Sequence, residues 1–136
     1  MANGKLIADT IEHSTEGTVS TEYVVAGSVK AMAQYFGHTN VLQSGSLNHT
    51  SVTDNGTGDF THNFTNSFAN TIYHAVGSCQ RPNNEISALI FYEPKDNTTR
   101  ATSSMPMEAI YTNSANLNRT HFDMEINDFI AYGDLA

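Results

Sequence analysis

The sequence predicts an all-β protein: an antiparallel, jelly-roll-like β-sandwich knob preceded by a short extended N-terminal arm. Three observations carry that expectation. Thr, Asn and Ser make up about a third of the 136 residues, and these types suit strands and turns better than helix interiors. Apolar residues recur with period two in several short segments. Clusters of Gly, Asn, Asp and Pro separate those segments at the spacing of turns. The length fits one domain. Phe 7 and Tyr 6, spread along the chain beside many Val and Ile, set it apart from disordered chains rich in the same polar residues.

Residues 1–27 read as the arm and 28–136 as the knob. From Lys5 to Thr21 the chain carries Asp9, Glu12 and Glu16 but little apolar content, chiefly Leu6, Ile7, Ile11 and Val19. That is too little for a core: the segment reads as a disordered tail or as an extended arm ordered by packing on another chain, and in such an arm these four are expected to serve attachment or oligomerisation. Tyr23-Val24-Val25 is expected to open the compact part, with a boundary near Ala26-Gly27. No span sustains a 3.6-residue period; the nearest, Val29 to Phe36, lacks the length and a capping box.

Leu47–Thr53 and Asp59–Phe64 read as strands joined by Asp54-Asn55-Gly56-Thr57-Gly58, the strongest hairpin signal in the chain. Phe60, His62 and Phe64 alternate with polar neighbours. Ile72, His74 and Val76 form a second alternating set, and Phe122, Met124 and Ile126 a third, within a strand from Thr120 to Ile126. Ile86 to Tyr92 is a nearly continuous apolar run, short enough for a strand buried on both faces. Gln80–Asn84, Pro94–Asn97 and Thr112–Arg119 read as loops.

Composition excludes several function classes. Lys+Arg 6 against Asp+Glu 14 gives a net charge of −8. Nucleic-acid binding draws its affinity from cations, and docking on anionic membranes draws on basic clusters, so neither is expected. No apolar stretch is long enough to span a membrane. Leu6-Ile7-Ala8 is too short for a signal-peptide core, so synthesis in a cytoplasm is expected. Cys79 is the only cysteine and reads as a small buried hydrophobe at a strand end. Asn48, Asn55, Asn63, Asn97 and Asn118 open Asn-x-Ser/Thr triplets, which the abundance of Asn and Thr explains by chance.

No hydrolase, kinase, zinc-protease or dinucleotide motif is present, and neither enzymatic activity nor a cofactor is expected. The six histidines are His13, His38, His49, His62, His74 and His121, none at i, i+4 spacing. His62 and His74 fall on what would be adjacent strands. They read more plainly as half-buried side chains than as metal ligands or an axial stack in a trimer. The Asp54–Asp59 loop lacks the alternating carboxylates of a calcium loop. Tyr35, Phe36, Tyr92 and Tyr111 are the candidate receptor-binding aromatics, with core or subunit contact as the plainer role.

The stretch Ser51-Val52-Thr53-Asp54-Asn55-Gly56-Thr57-Gly58-Asp59-Phe60-Thr61-His62-Asn63-Phe64 resembles a phrase of bacteriophage and prophage tail-fibre proteins. Tyr23 to Ala31, Ala69 to Tyr73 and the ending Ile130 to Asp134 are similar to further motifs of that family, in the same order. Met32 departs from the pattern, standing where the family usually has Trp; Cys79 and the Arg81–Asn84 loop lie outside it. The resemblance implies a virion component that binds rather than catalyses: a homotrimeric short tail fibre or head fibre displaying a β knob for host attachment. It would join another virion protein through the arm and contact a host glycan or protein. The alternative it leaves open is a capsid decoration protein with no receptor role.

Overall fold

The structure, a computed structural model, describes residues 8–15, 17–39, 41–80, 88–113 and 118–136. The fold is all-β and antiparallel. One sheet has the order β4 (Val41–Leu42), β3 (Val29–Phe36), β11 (Ile126–Tyr132), β7 (His74–Gln80). The other runs β10 (Arg119–His121), β9 (Ser104–Asn113), β6 (Asp59–Phe64), β5 (His49–Gly56), with β8 (Ala88–Pro94) on the far edge of β9. Their inner faces share one core, as in a sandwich.

Period two explains which residues meet there. Ala31, Ala33 and Tyr35 point inward from β3, Phe129 and Ala131 from β11, Phe60, His62 and Phe64 from β6, and Met105, Met107 and Ala109 from β9. The small residues of the first sheet leave room for rings. Tyr35 meets Phe60 edge-on at 4.9 Å, and His62 stacks on Phe129 at 4.3 Å across the two sheets. A second aromatic group closes one end, with Phe68 stacked on Tyr73 at 4.3 Å and edge-on to Phe64 at 5.1 Å. The Tyr73 hydroxyl lies 3.0 Å and 2.9 Å from the Ala101 and Ser104 carbonyls and donates there, so this buried aromatic keeps its polar atom paired.

Several expectations are corrected. The arm is not simply extended: β1 (Thr10–His13) pairs with β2 (Gly17–Ser20), and a helix, α1 (Thr21–Gly27), follows. Ser20 caps that helix, its hydroxyl accepting from the Glu22 amide at 3.3 Å. Tyr23-Val24-Val25 therefore does not open the compact part; all three side chains are exposed on α1, and burial begins in β3.

The phase of β7 is also reversed. Ile72, His74 and Val76 are exposed, while Tyr73 is buried and Ala75, Gly77 and Cys79 turn partly inward. A Cβ on Gly77 would sit 2.6 Å from the Tyr92 carbonyl oxygen, so only glycine lets β7 approach β8 this closely. β8 is buried on one face only, with Leu89 and Phe91 exposed; Ile86 and Ser87 lie outside the described residues, as do Arg81–Asn84.

The expected Thr120–Ile126 strand is broken. β10 ends at His121, and β11 begins at Ile126 in the other sheet. Between them Asp123 turns its carboxylate to the hairpin tip, accepting from the Gly58 amide at 2.7 Å.

Candidate functional site

The hairpin motif is a structural device. β5 and β6 pair around a two-residue turn at Thr57-Gly58, with a register shift between Asp54 and Gly56. Asp54 accepts from the Gly56 amide at 2.9 Å, and Asn55 donates from its side-chain amide to Thr61 Oγ1 at 2.9 Å. Gly58 has φ +65 and is buried, its carbonyl accepting from the Ala109 amide at 2.8 Å. The tip is thus seated against β9 and the Asp123 loop rather than offered to a ligand. Only Thr57 and the edge of β5 remain exposed there.

The four candidate aromatics do not form one surface. Tyr35 and Tyr92 are buried, at 0% and 3% exposure. Burial, with the charges of Asp54 and Asp123 adding to it, pushes the Tyr35 phenol up to about 12. Burial likewise raises Tyr92 well above an ordinary phenol. Tyr111 is half-buried, packs on the core and meets Phe122 edge-on at 5.8 Å. Phe36 is half-buried at the end of β3. Of the arm residues, Ile11 and Val19 face each other across the β1–β2 ladder and are exposed, while Leu6 and Ile7 lie outside the described residues.

His62 and His74 are on different sheets, so they are not neighbours. The partner of His62 is His49, with Nε2 of His49 2.8 Å from Nδ1 of His62. On its other side, Nε2 of His62 lies 2.5 Å from the Tyr92 hydroxyl. Among the described residues no group of three or more His, Cys, Asp or Glu is placed to hold a metal. Cys79 is half-buried near the end of β7, and burial, aided by Asp128, pushes its thiol up to about 11. A thiol so rarely ionised is a poor nucleophile.

The arrangement best suited to recognition is the outer face of β8, β9 and β10. Register places three cross-strand rows on it. Leu89 lies beside Thr112 and Arg119, Phe91 beside Ile110 and His121, and Glu93 beside Glu108, which in turn faces Asp59 of β6. Leu89 is 66% and Phe91 41% exposed, whereas the Glu108 side chain keeps only 6%. That carboxylate accepts from Arg119 at 2.6 Å, from His121 at 2.8 Å and from the Asp96 amide at 3.1 Å. Arg119 also bridges Glu93 at 2.9 Å and pairs with Asp96, while Lys95 pairs with Asp59.

Each of these charged groups is thereby fixed in direction before any ligand arrives. A cleft of about 450 Å³ between β7 and β8 continues this surface, lined by Val76, Ser78, Phe91 and Glu93 among others. An exposed ring and leucine beside oriented carboxylates and a guanidinium can stack on an apolar face and hydrogen-bond hydroxyls or amides.

Phe91 and Leu89 were hidden in the sequence inside an apolar run that reads as doubly buried. Glu93 and Pro94, following directly, were the only sign that one face of that run meets water. The chain matches no family model, no curated protein and no solved structure.

Proposed function

We propose that this chain is a bacteriophage virion protein, a trimeric short tail fibre or head fibre whose β knob attaches to the host. One observation carries the reading most of the way. Along the phrase from Ser51 to Phe64, which resembles tail-fibre proteins, the side chains follow a structural logic: Asp54, Asn55, Gly56 and Gly58 make the turn, and Phe60, His62 and Phe64 fill the core. This use of the phrase is what the resemblance leads one to expect, and it supports the reading. The outer face around Phe91 supplies the contact surface, and the hairpin and helix of the arm hold the knob to another virion protein.

Two experiments test this. Sedimentation of the purified chain should give three times its mass of 14.8 kDa. Immunogold labelling of particles should mark tail or head appendages. Label spread evenly over the capsid assigns the chain to decoration instead, and particles free of label contradict both readings.

The contact surface has its own test. Phe91→Ala should cost about 1 kcal/mol or less of stability, because Phe91 lies on the outer face and is 41% exposed, and should weaken binding of the protein to host cells about tenfold or more, in line with loss of an aromatic anchor. Equal binding by this variant and the wild type would move the contact surface elsewhere.

A further inference from the structure

We propose that His49 and His62 form an acid-operated latch between the two sheets, one that holds the start of β5 against β11 while both rings are neutral and releases it when His49 takes up a proton. The proposal is independent of the fibre reading.

The geometry is a chain of three side chains running from the rim to the centre of the core. His49 is half-buried at the start of β5, His62 is fully buried on β6, and Tyr92 is fully buried on β8. Both rings close on Phe129 of β11: His62 stacks at 4.3 Å and His49 meets it edge-on at 5.4 Å. His49 also meets Phe64 edge-on at 5.6 Å. Two histidines on one sheet, the inner one backed by Tyr92, thus grip the central ring of the other.

Proton bookkeeping fixes what the chain can tolerate. With both rings neutral, one direction of bonding has Tyr92 donate to His62 Nε2 and His62 donate from Nδ1 to His49 Nε2. The remaining proton of His49 then sits on Nδ1, which is buried without a partner of full hydrogen-bond geometry; a backbone hydrogen bond at Leu47 favours a proton on this ring. A further proton can enter only at His49 Nε2. There it opposes the His62 Nδ1 proton, which has to move to Nε2, and that in turn opposes the Tyr92 hydroxyl proton. In that direction one proton at the rim reverses or breaks every bond inward; in the opposite direction the proton enters at His49 Nδ1, and the charge left at the edge of the core is what loosens the ring.

Among the described residues no carboxylate acts on either ring to meet the new charge. Tyr92 faces the pair from β8, and beyond it lie Tyr35 of β3 and Cys79 of β7, both neutral groups with raised pKa values. β9 presents Met105 opposite His62, and β11 presents Phe129. The carboxylates of Asp54 and Asp123 act on Tyr35, not on either histidine. His49, on the rim, can leave for water; His62 cannot.

Burial lowers the pKa of both rings from the ordinary 6.5, that of His62 well below it with the nearby His49 adding to the effect. The folded state therefore binds fewer protons than the unfolded chain below about pH 6.5, and stability falls as pH falls through that window until each folded-state pKa is reached.

The test follows urea unfolding of the full chain from pH 7.5 to 5.5, together with nuclear Overhauser contacts between aromatic rings. The unfolding equilibrium constant should rise as pH falls below about 6.5, by up to about tenfold per pH unit for each histidine still neutral in the folded state. The His49–Phe129 ring contact should fade at pH 5.5 while the Tyr35–Phe60 contact persists. His49→Gln should reduce the pH slope, and His62→Phe should flatten it too. The slope, not the absolute stability, is the readout, and His49→Gln decides the matter if His62→Phe does not fold. A wild-type slope that His49→Gln leaves unchanged, or a His49–Phe129 contact that survives at pH 5.5, overturns the latch.

Discussion

Gly58→Ala is expected to destabilise the fold by about 3 kcal/mol, which combines the left-handed backbone penalty of a side chain with the cost of overpacking. At this position φ is +65, and an added Cβ would meet the Ala109 carbonyl and lie 2.6 Å from the Phe122 amide nitrogen. Both are backbone atoms, so neither can step aside as a flexible side chain would. The shift would pull the hairpin tip from β9 and strain the bond from the Gly58 amide to Asp123. For a chain of this size the melting temperature should drop by about 10 °C. Gly56→Ala is the control: its φ is also positive, at +130, but nothing lies within 4 Å of the added atom. Its cost is backbone strain without overpacking, so only Gly58→Ala should also speed exchange of the Ala109 amide hydrogen, which the Gly58 carbonyl holds. Unchanged protection of that amide in Gly58→Ala would mean that the tip is not seated as described.

Phe129→Ala should have an effect of similar or greater size, about 3–5 kcal/mol, the range for truncating a buried aromatic ring. Phe129 is 1% exposed and touches three rings of the opposite sheet: His49, His62 and Phe64. Its loss leaves a cavity between the sheets and removes the surface on which His62 stacks. Urea unfolding at pH 7.5 measures this directly, and the slope with denaturant should stay close to that of the wild type if the two-state fold survives. A loss below 1 kcal/mol would contradict the placement of this ring at the centre of the core.

Much of this architecture was legible in the sequence for a simple reason. Where a strand has one large apolar set and one polar set, its phase and its face are both fixed, and Phe60, His62 and Phe64 are such a case. The Asp54–Gly58 turn was equally clear because Gly and Asn at those positions have few other uses. The phase of β7 was misread because the outward residues Val76 and, just before the strand, Ile72 are bulkier than its inward Ala75 and Gly77. Gly77 is small since the Tyr92 carbonyl lies against it, and that is a tertiary fact no local pattern contains. α1 escaped notice because its seven residues bury no face and so have no apolar stripe to display.

The candidate surface was harder to read than the fold. Tyr35 and Tyr92 are chemically fit for ligand contact, but strand phase sends both inward, while Phe91, one residue before Tyr92, points out. The charged cluster joins Glu93 and Asp96 to Glu108, Arg119 and His121, residues brought together by the register of β8, β9 and β10. Asn127 is buried, its side-chain polar atoms have no hydrogen-bond partner among the described residues, and nothing there explains why β11 carries an amide at this position.

The central claim is host attachment by the knob, and adsorption competition tests it most directly. Purified wild-type protein, added to host cells before the phage, should reduce adsorption in a saturable manner, and Phe91→Ala protein at the same dose should compete poorly. Adsorption unaffected at saturating wild-type protein would contradict the claim.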